Sequence, residues 1–142
     1  LMVHDYGPGH QFASLHVELP AEQDPLEAHD LIDNIERDFF KNDNLMVTIH
    51  YDPIVTSDAA VGVLRARLTE KLRQMDPELS LHDLRIVPGR THTNVLFDLV
   101  LPAGYAGDKV ELLEQLEQFI KEQDAAYSCI IKVEQSYTAA HK

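Results

Sequence analysis

Three side chains of the types that bind metal ions occupy two short segments of alternating apolar and polar residues. His16 lies on the polar side of one segment, and His50 and Asp52 lie two residues apart on the polar side of the other. Residues two apart on a β-strand point to the same face, so all three can share a face if both strands belong to one sheet. Imidazole and carboxylate together suit zinc, and also manganese, iron or cobalt. The spacing therefore predicts a divalent-metal site.

A further histidine, His29, falls in the first turn of a predicted helix that follows Asp24. From there its ring can come over the edge of the sheet or from a second subunit. An isolated His-x-Asp pair is typical of ordinary solvated residues, so the hypothesis depends on four ligand-type residues converging. His4 and His10, which flank a Gly-Pro-Gly turn, are predicted to face solvent.

The elements that position these ligands follow from the hydropathy periods. Alternation over residues 11–19 and 45–52 predicts two half-buried strands, the second of which ends at Pro53. Between them Asp24-Pro25 predicts a helix start, because aspartate caps a helix and proline fits the first helical position. The residues of this helix that are expected to face a core are Ala28, Ile32, Ile35 and Phe39.

The second half of the chain repeats this succession of elements. A helix is predicted from residues 56–58 to Asp76-Pro77, and its apolar stripe is Val61, Leu64, Leu68, Leu72 and Met75. Strands are predicted over residues 81–87, 93–101 and 127–134, with a helix on Val110, Leu113, Leu116 and Ile120 before the last of them. Cys129 is expected to point into the core, and residues 139–142 form a polar tail.

The two halves also match in residues. Residues 1–20 are similar to residues 84–102, and each stretch contains a Pro-Gly turn. We interpret this as an internal duplication. The first copy, residues 1–55, is predicted to lack its opening helix, and residues 56–142 are a degenerate second copy. Crossovers beside hairpins, with helices on one face, predict an α+β open-faced sandwich of the ferredoxin-like αββαβ type in each copy.

The second copy carries different residues at the predicted ligand positions. The alignment pairs His16 with Asp98, His50 with Lys132 and Asp52 with Glu134. A protonated lysine cannot ligate a metal ion and repels it, so these three residues are predicted to form a salt-bridge cluster that binds no metal.

Four segments of the first copy carry a family resemblance. They are Val3–Gly9, Phe12–Glu18, Glu27–Asp33 and Ile49–Pro53. They resemble the "HVEV"-like strand, the "(A/S)H-x-(I/V)-(A/D)" helix start and the closing "(V/I)H-x-(D/E)P" strand of the cytoplasmic C-terminal domain of cation diffusion facilitator transporters. The likeness covers residues 1–55 and recurs faintly over residues 58–136, where Leu81–Arg85 resembles the family's "HDLR" strand opening.

The resemblance implies a regulatory, metal-sensing domain and not an enzyme. It implies a homodimer on the cytoplasmic face of the cell membrane, below the six-helix membrane domain of the same transporter. Divalent metal, zinc before manganese, iron or cobalt, is expected at the dimer interface. The family's ligands match His16, His29, His50 and Asp52. A further family ligand, the histidine of an "HD" pair, would fall before Leu1 and has its equivalent in the second copy at His82.

Length and charge narrow the class of partner. The chain has 142 residues and a formal charge of −12, from 24 acidic and 12 basic residues. This charge argues against binding to a nucleic-acid backbone or an anionic membrane surface and favours a cation. No apolar run approaches the ~20 residues of a transmembrane helix, and no signal peptide is expected. The single cysteine excludes a disulfide framework and fits a reducing, cytoplasmic setting.

Two other classes of function remain open from the residues alone. A free-standing metal-dependent hydrolase would need an open metal position and a general base beside it. A ferredoxin-like module that binds a small molecule would use a glycine-rich loop, for which residues 104–107 are the candidate.

Overall fold

The computed structural model describes residues 1–136 and divides the chain into two compact units, Leu1–Ile54 (unit 1) and Val55–Lys142 (unit 2). The polar tail predicted at residues 139–142 lies outside the described residues. Among residues 1–136, no helix has both the length and the apolar character needed to cross a membrane.

Each unit consists of a three-stranded sheet with helix packed on one face, one helix in unit 1 and two in unit 2. Unit 1 contains β1 (Met2–Asp5), β2 (Gln11–Pro20), α1 (Pro25–Asp43) and β3 (Met46–Ile54). Unit 2 contains α2 (Asp58–Met75), β4 (Ser80–Val87), β5 (Thr93–Leu101), α3 (Lys109–Gln123) and β6 (Tyr127–Gln135).

The two sheets have the same topology. In unit 1 the strand order is β1-β2-β3, with β1 antiparallel to β2 and β3 parallel to it. In unit 2 the order is β4-β5-β6, again with one antiparallel and one parallel pair. The parallel pairs need a crossover, which α1 and α3 provide. The prediction of an α+β, ferredoxin-like fold with one strand order in both halves is confirmed.

The core of unit 1 is small. Its buried residues are Ala13, Leu19, Ala28, Ile32, Val47 and Ile49. Asp24 caps α1 by accepting hydrogen bonds from the backbone N–H groups of Leu26 and Glu27. The expectation that Phe39 faces the core is wrong, since it is 36% exposed. The buried residues of α1 lie in its first turns, and Phe39 lies near its end, beyond the residues that pack on the sheet.

The core of unit 2 is more than twice as large. The predicted stripe of α2 is confirmed, with Leu64, Leu68 and Leu72 buried, and α3 contributes Leu112, Leu116 and Ile120. The predicted helix is present, although of the four residues that indicated it only Leu116 and Ile120 are buried. Leu113 packs against the core partly buried, and Val110 is exposed.

Cys129 is partly buried and packs against the core of unit 2, as predicted. Burial raises the pKa of its thiol to about 12, and the negative charge of Glu117 acts in the same direction. The thiol is therefore neutral and unreactive at physiological pH.

β3 continues past the point where the sequence predicted its end. Pro53 pairs with Leu19 and the strand runs to Ile54, whose carbonyl accepts a hydrogen bond from the Ala21 N–H. Proline lacks an N–H group and is tolerated on edge strands. In unit 1, β3 pairs only with β2, so it is such an edge.

Candidate metal centre

The parallel register of β2 and β3 brings the predicted ligands together. Ala13, Leu15, Val17 and Leu19 on β2 and Ile49 on β3 face the core, so the residues that alternate with them point to the open face of the sheet. His16 and His50 are Cα partners in this register. Asp52 follows His50 by two positions and therefore lies on the same face.

Asp52 sits between the two imidazole rings. One carboxylate oxygen, Oδ2, is 3.0 Å from His16 Nδ1, and the other, Oδ1, is 3.2 Å from His50 Nε2. The ring centroids of the two histidines are 4.9 Å apart. One ligand atom from each of the three residues lies within 4.8 Å of the others. Among residues 1–136, this is the one group of three or more such side chains with that proximity.

The three side chains differ in exposure. The Asp52 side chain is 19% exposed, whereas those of His16 and His50 are 71% and 69% exposed. The carboxylate is thus held at the sheet surface, and the rings stand free to turn toward an ion that arrives from solvent.

The donor set and spacing fit a small divalent cation. Zinc accepts imidazole nitrogen and carboxylate oxygen as ligands, and one such atom from each of the three residues lies within 4.8 Å of the others. Bringing the rings closer needs only rotation of exposed side chains. A ring nitrogen must give up its proton to bind metal, so binding competes with protonation.

His29 is not part of this group. It is exposed on α1, which packs through Ala28 and Ile32 against the buried face of the sheet. The cluster occupies the opposite, open face, and the structure does not bring His29 to it within one chain. The role of His29 as a ligand from a second subunit stays a prediction. His4 and His10 are exposed, as expected, and lie outside the group as well.

Glu18 lies beside the cluster, although the sequence pattern did not indicate it as a site residue. This residue is the Cα partner of Asp52 and shares the open face with His16. The alternation of β2 already placed it on that face, but its position beside Asp52 depends on the register of two strands that lie far apart in the sequence.

Unit 2 presents a different cluster at the corresponding place. Asp98 and Lys132 are Cα partners, as His16 and His50 are in unit 1. The Lys132 ammonium contacts the Glu134 carboxylate and lies 3.8 Å from Asp98 Oδ2. Its pKa is raised, first by the hydrogen bond to Glu134 and then by the charge of Asp98. The predicted salt-bridge contacts are confirmed, and the expectation that this cluster binds no metal stays a prediction.

Comparison with models of protein families finds a match in unit 1. Residues 1–54 match the model described as the cation efflux protein, cytoplasmic domain. No curated protein and no solved structure matches the chain. The assignment of residues 56–142 as a second copy of the same domain stays a prediction. Unit 1 thus combines the sheet topology and the ligand pattern with a match over residues 1–54 to the cytoplasmic domain of cation efflux proteins.

Proposed function

We propose that this chain is the metal-sensing and dimerising cytoplasmic part of a divalent-cation efflux transporter. The observation that carries the proposal is the cluster of His16, His50 and Asp52 on the open face of unit 1, which matches the cytoplasmic domain of cation efflux proteins. In this role the domain binds the ion that the transporter's own membrane domain exports, and the bound state biases export.

The chemistry of the cluster favours zinc as the ion. Two imidazoles and one carboxylate form a donor set that zinc accepts in a tetrahedral site, although manganese, iron and cobalt accept these donors too. The formal charge of −12 raises the local concentration of any divalent cation. This diffuse charge is screened within about 8 Å at physiological salt, so selection of the ion depends on the ligands.

Three ligands leave a tetrahedral ion one position short. The proposal is that His29 of a second copy of the chain fills this position, because His29 cannot do so from its own α1. A metal ion shared in this way would join two copies, so that metal binding and dimerisation are one event. Dimerisation should then strengthen with zinc and weaken when either side of the shared site is removed.

Sedimentation velocity of the chain, with and without zinc, tests the proposal. We expect the unaltered chain to dimerise and zinc to shift the equilibrium further toward the dimer. His50→Ala and His29→Ala should each abolish the zinc-dependent part of this shift. His92→Ala, which removes an exposed histidine of unit 2, is the matched control and should behave as the unaltered chain.

The outcomes separate the parts of the proposal. A monomer at all zinc concentrations would contradict dimerisation through a shared ion. Loss of zinc binding in His50→Ala with full retention in His29→Ala would keep the cluster and exclude His29 as its fourth ligand. Equal zinc binding in all variants would place the ion elsewhere and overturn the proposed site.

A further inference from the structure

Lys132 occupies in unit 2 the place that His50 occupies in unit 1. Each lies on the strand that pairs in parallel with the central strand of its sheet. His50 is the Cα partner of His16, and Lys132 is the Cα partner of Asp98. Each is also followed, two residues later, by a carboxylate that contacts it, Asp52 in unit 1 and Glu134 in unit 2. The side chains at the two positions are equally exposed, at 69%.

Lys132 is surrounded by carboxylates, which favour a positive charge at this position. Its ammonium contacts Glu134 and approaches Asp98, and the negative charge of Asp83 also acts on it. On the other side of Asp98, His82 of β4 is the Cα partner of that aspartate. Partners directly opposite each other in an antiparallel pair point to the same face, so the imidazole and the carboxylate share one face of the sheet.

We propose that Lys132 is a tethered cation that takes the place of the metal ion in unit 2, and that the residue at position 132 decides whether this unit binds divalent metal. The reference for this inference is metal binding at His50, so it rests on the proposed function of unit 1. It extends that function, because it makes one of two similar sheets responsive to metal and the other independent of it.

The physical argument is a comparison of two side chains at one position. A lysine ammonium has three N–H donors and no lone pair, so it neutralises the carboxylates and leaves nothing for a metal to bind. An imidazole at the same position would offer a lone pair and carry no charge. Asp98 and Glu134 would then lie beside it, and His82 lies on the neighbouring strand as the Cα partner of Asp98. Carboxylate and imidazole are donors of the kind that bind zinc.

The test uses the full chain with the unit 1 site disabled by His50→Ala. Three substitutions at Lys132 are compared in this background. Lys132→Arg keeps the positive charge, Lys132→Met removes it without adding a ligand, and Lys132→His replaces the charge with a ligand. Zinc per chain is counted by native mass spectrometry, and cobalt(II) is used as a spectroscopic probe of nitrogen and oxygen ligation.

We expect His50→Ala alone and with Lys132→Arg to bind no zinc. His50→Ala with Lys132→His should bind one ion per chain, at least tenfold more tightly than His50→Ala with Lys132→Met. Substituting His82 or Asp98 by alanine in the Lys132→His chain should weaken this binding. In the chain with an intact unit 1, Lys132→His alone should raise the zinc count by one.

Two results would overturn the inference. One is the absence of added zinc in both chains that carry Lys132→His while circular dichroism shows them folded. The other is equal binding by Lys132→His and Lys132→Met, which would mean that removal of charge alone opens the site. Failure of the proposed function looks different, because zinc would then bind equally to the unaltered chain and to His50→Ala.

Discussion

The sheets of units 1 and 2 share one topology, yet corresponding residues of their first strands meet different surroundings. Val3 on β1 and Ile86 on β4 are equivalent, since each pairs with the same position of the central strand, Ala13 or Val95. Ile86 is 5% exposed in the core to which α2 contributes, whereas Val3 is 56% exposed. Only α1 covers the sheet of unit 1 in the described residues, so the same strand framework holds a smaller core there.

The crossover helix of unit 1, α1, also places fewer apolar residues against its sheet than α3 does in unit 2. Every fourth residue after the capping aspartate faces the sheet, and in α3 these are Leu112, Leu116 and Ile120. In α1 they are Ala28, Ile32 and Glu36. Glu36 is partly buried, and its Oε1 accepts a hydrogen bond of 2.8 Å from the backbone N–H of Ile49.

The same sheet topology is therefore stabilised differently in the two units. Unit 2 is stabilised by apolar burial and carries its own cation at Lys132. Unit 1 has less apolar burial, and Glu36 uses its helix position to hold the strand residue just before His50. We infer that unit 1 is less stable than unit 2 and that an added cation stabilises unit 1 more than it stabilises unit 2.

The largest expected effect is on the cores. Leu116→Ala in α3 should lower the free energy of unfolding of unit 2 by about 4 kcal/mol, because Leu116 is fully buried and its removal leaves a cavity. Ile32→Ala at the equivalent place in α1 should cost about 2 kcal/mol, since a small, open core can relax around the gap. Hydrogen exchange measured by mass spectrometry resolves the units, and an equal loss in both would contradict the contrast in packing.

Zinc should stabilise unit 1 and leave unit 2 unchanged. At free zinc about a hundred times its dissociation constant, linkage gives about 2.7 kcal/mol of added stability. His50→Ala should lose this gain, and Lys132→Ala should keep it. Zinc-dependent protection from hydrogen exchange in residues of unit 2 would show that the metal acts there instead.

The zinc effect should depend on pH with a definite sign. Imidazole binds metal only when neutral, so zinc affinity should fall as the pH is lowered and protons compete for the ring nitrogens. Removing zinc with a chelator at pH 7.5 should return the melting temperature to that of the metal-free chain. Affinity that rose on acidification would exclude histidine ligation.

Much of this fold can be predicted from the sequence because its signals are local. Period two marks the strands, and Asp24-Pro25 marks the start of α1. The prediction failed where tertiary context decides. Pro53 reads as a strand end, but on an edge strand its missing N–H costs nothing. Phe39 has the right helical phase for burial, yet no core extends to it.

The ligand cluster was predictable in part for the same reason. Two residues apart on one strand, His50 and Asp52 had to share a face. The proximity of His16 depended on parallel pairing and register, which the sequence period leaves open and the crossover by α1 determines. The neighbourhood of His82 and Asp98 could not be predicted, because a register shift follows His82 on β4, where Asp83 adopts a positive φ of 51°.

The hydrogen bond from the Ile49 N–H to Glu36 gives a fourth test. Glu36→Leu removes the acceptor and should destabilise unit 1 by about 2 kcal/mol, because a partly buried N–H loses its partner. It should also weaken zinc binding, since the backbone that carries His50 is no longer held. Glu36→Gln retains an acceptor oxygen and is the matched control. Unchanged exchange of the Ile49 amide in Glu36→Leu would show that the bond does not hold β3.

The smallest expected effect compares two equivalent caps. Asp24 Oδ1 accepts from the Leu26 and Glu27 N–H groups at 2.9 and 3.2 Å, and Asp108 Oδ1 accepts from those of Val110 and Glu111 at 2.8 and 3.2 Å. Because the geometry is the same, alanine at either position should cost about 1 kcal/mol, and asparagine, which keeps the acceptor, should cost less.

The substitutions at Asp24 and Asp108 are useful together because each should remove the same capping free energy from its helix. An equal loss of about 1 kcal/mol multiplies the open population of either helix about fivefold, whatever its starting stability. If unit 1 is the less stable unit, amides of α1 should exchange faster than those of α3 in the unaltered chain and stay faster by the same ratio after both substitutions. Different fold-changes for α1 and α3 would mean that the caps differ in strength. If the amides of α1 and α3 exchange at equal rates in the unaltered chain and change by equal factors, the two units are equally stable. The units would then differ only in the cation at the sheet surface, the proposed metal ion in unit 1 and Lys132 in unit 2.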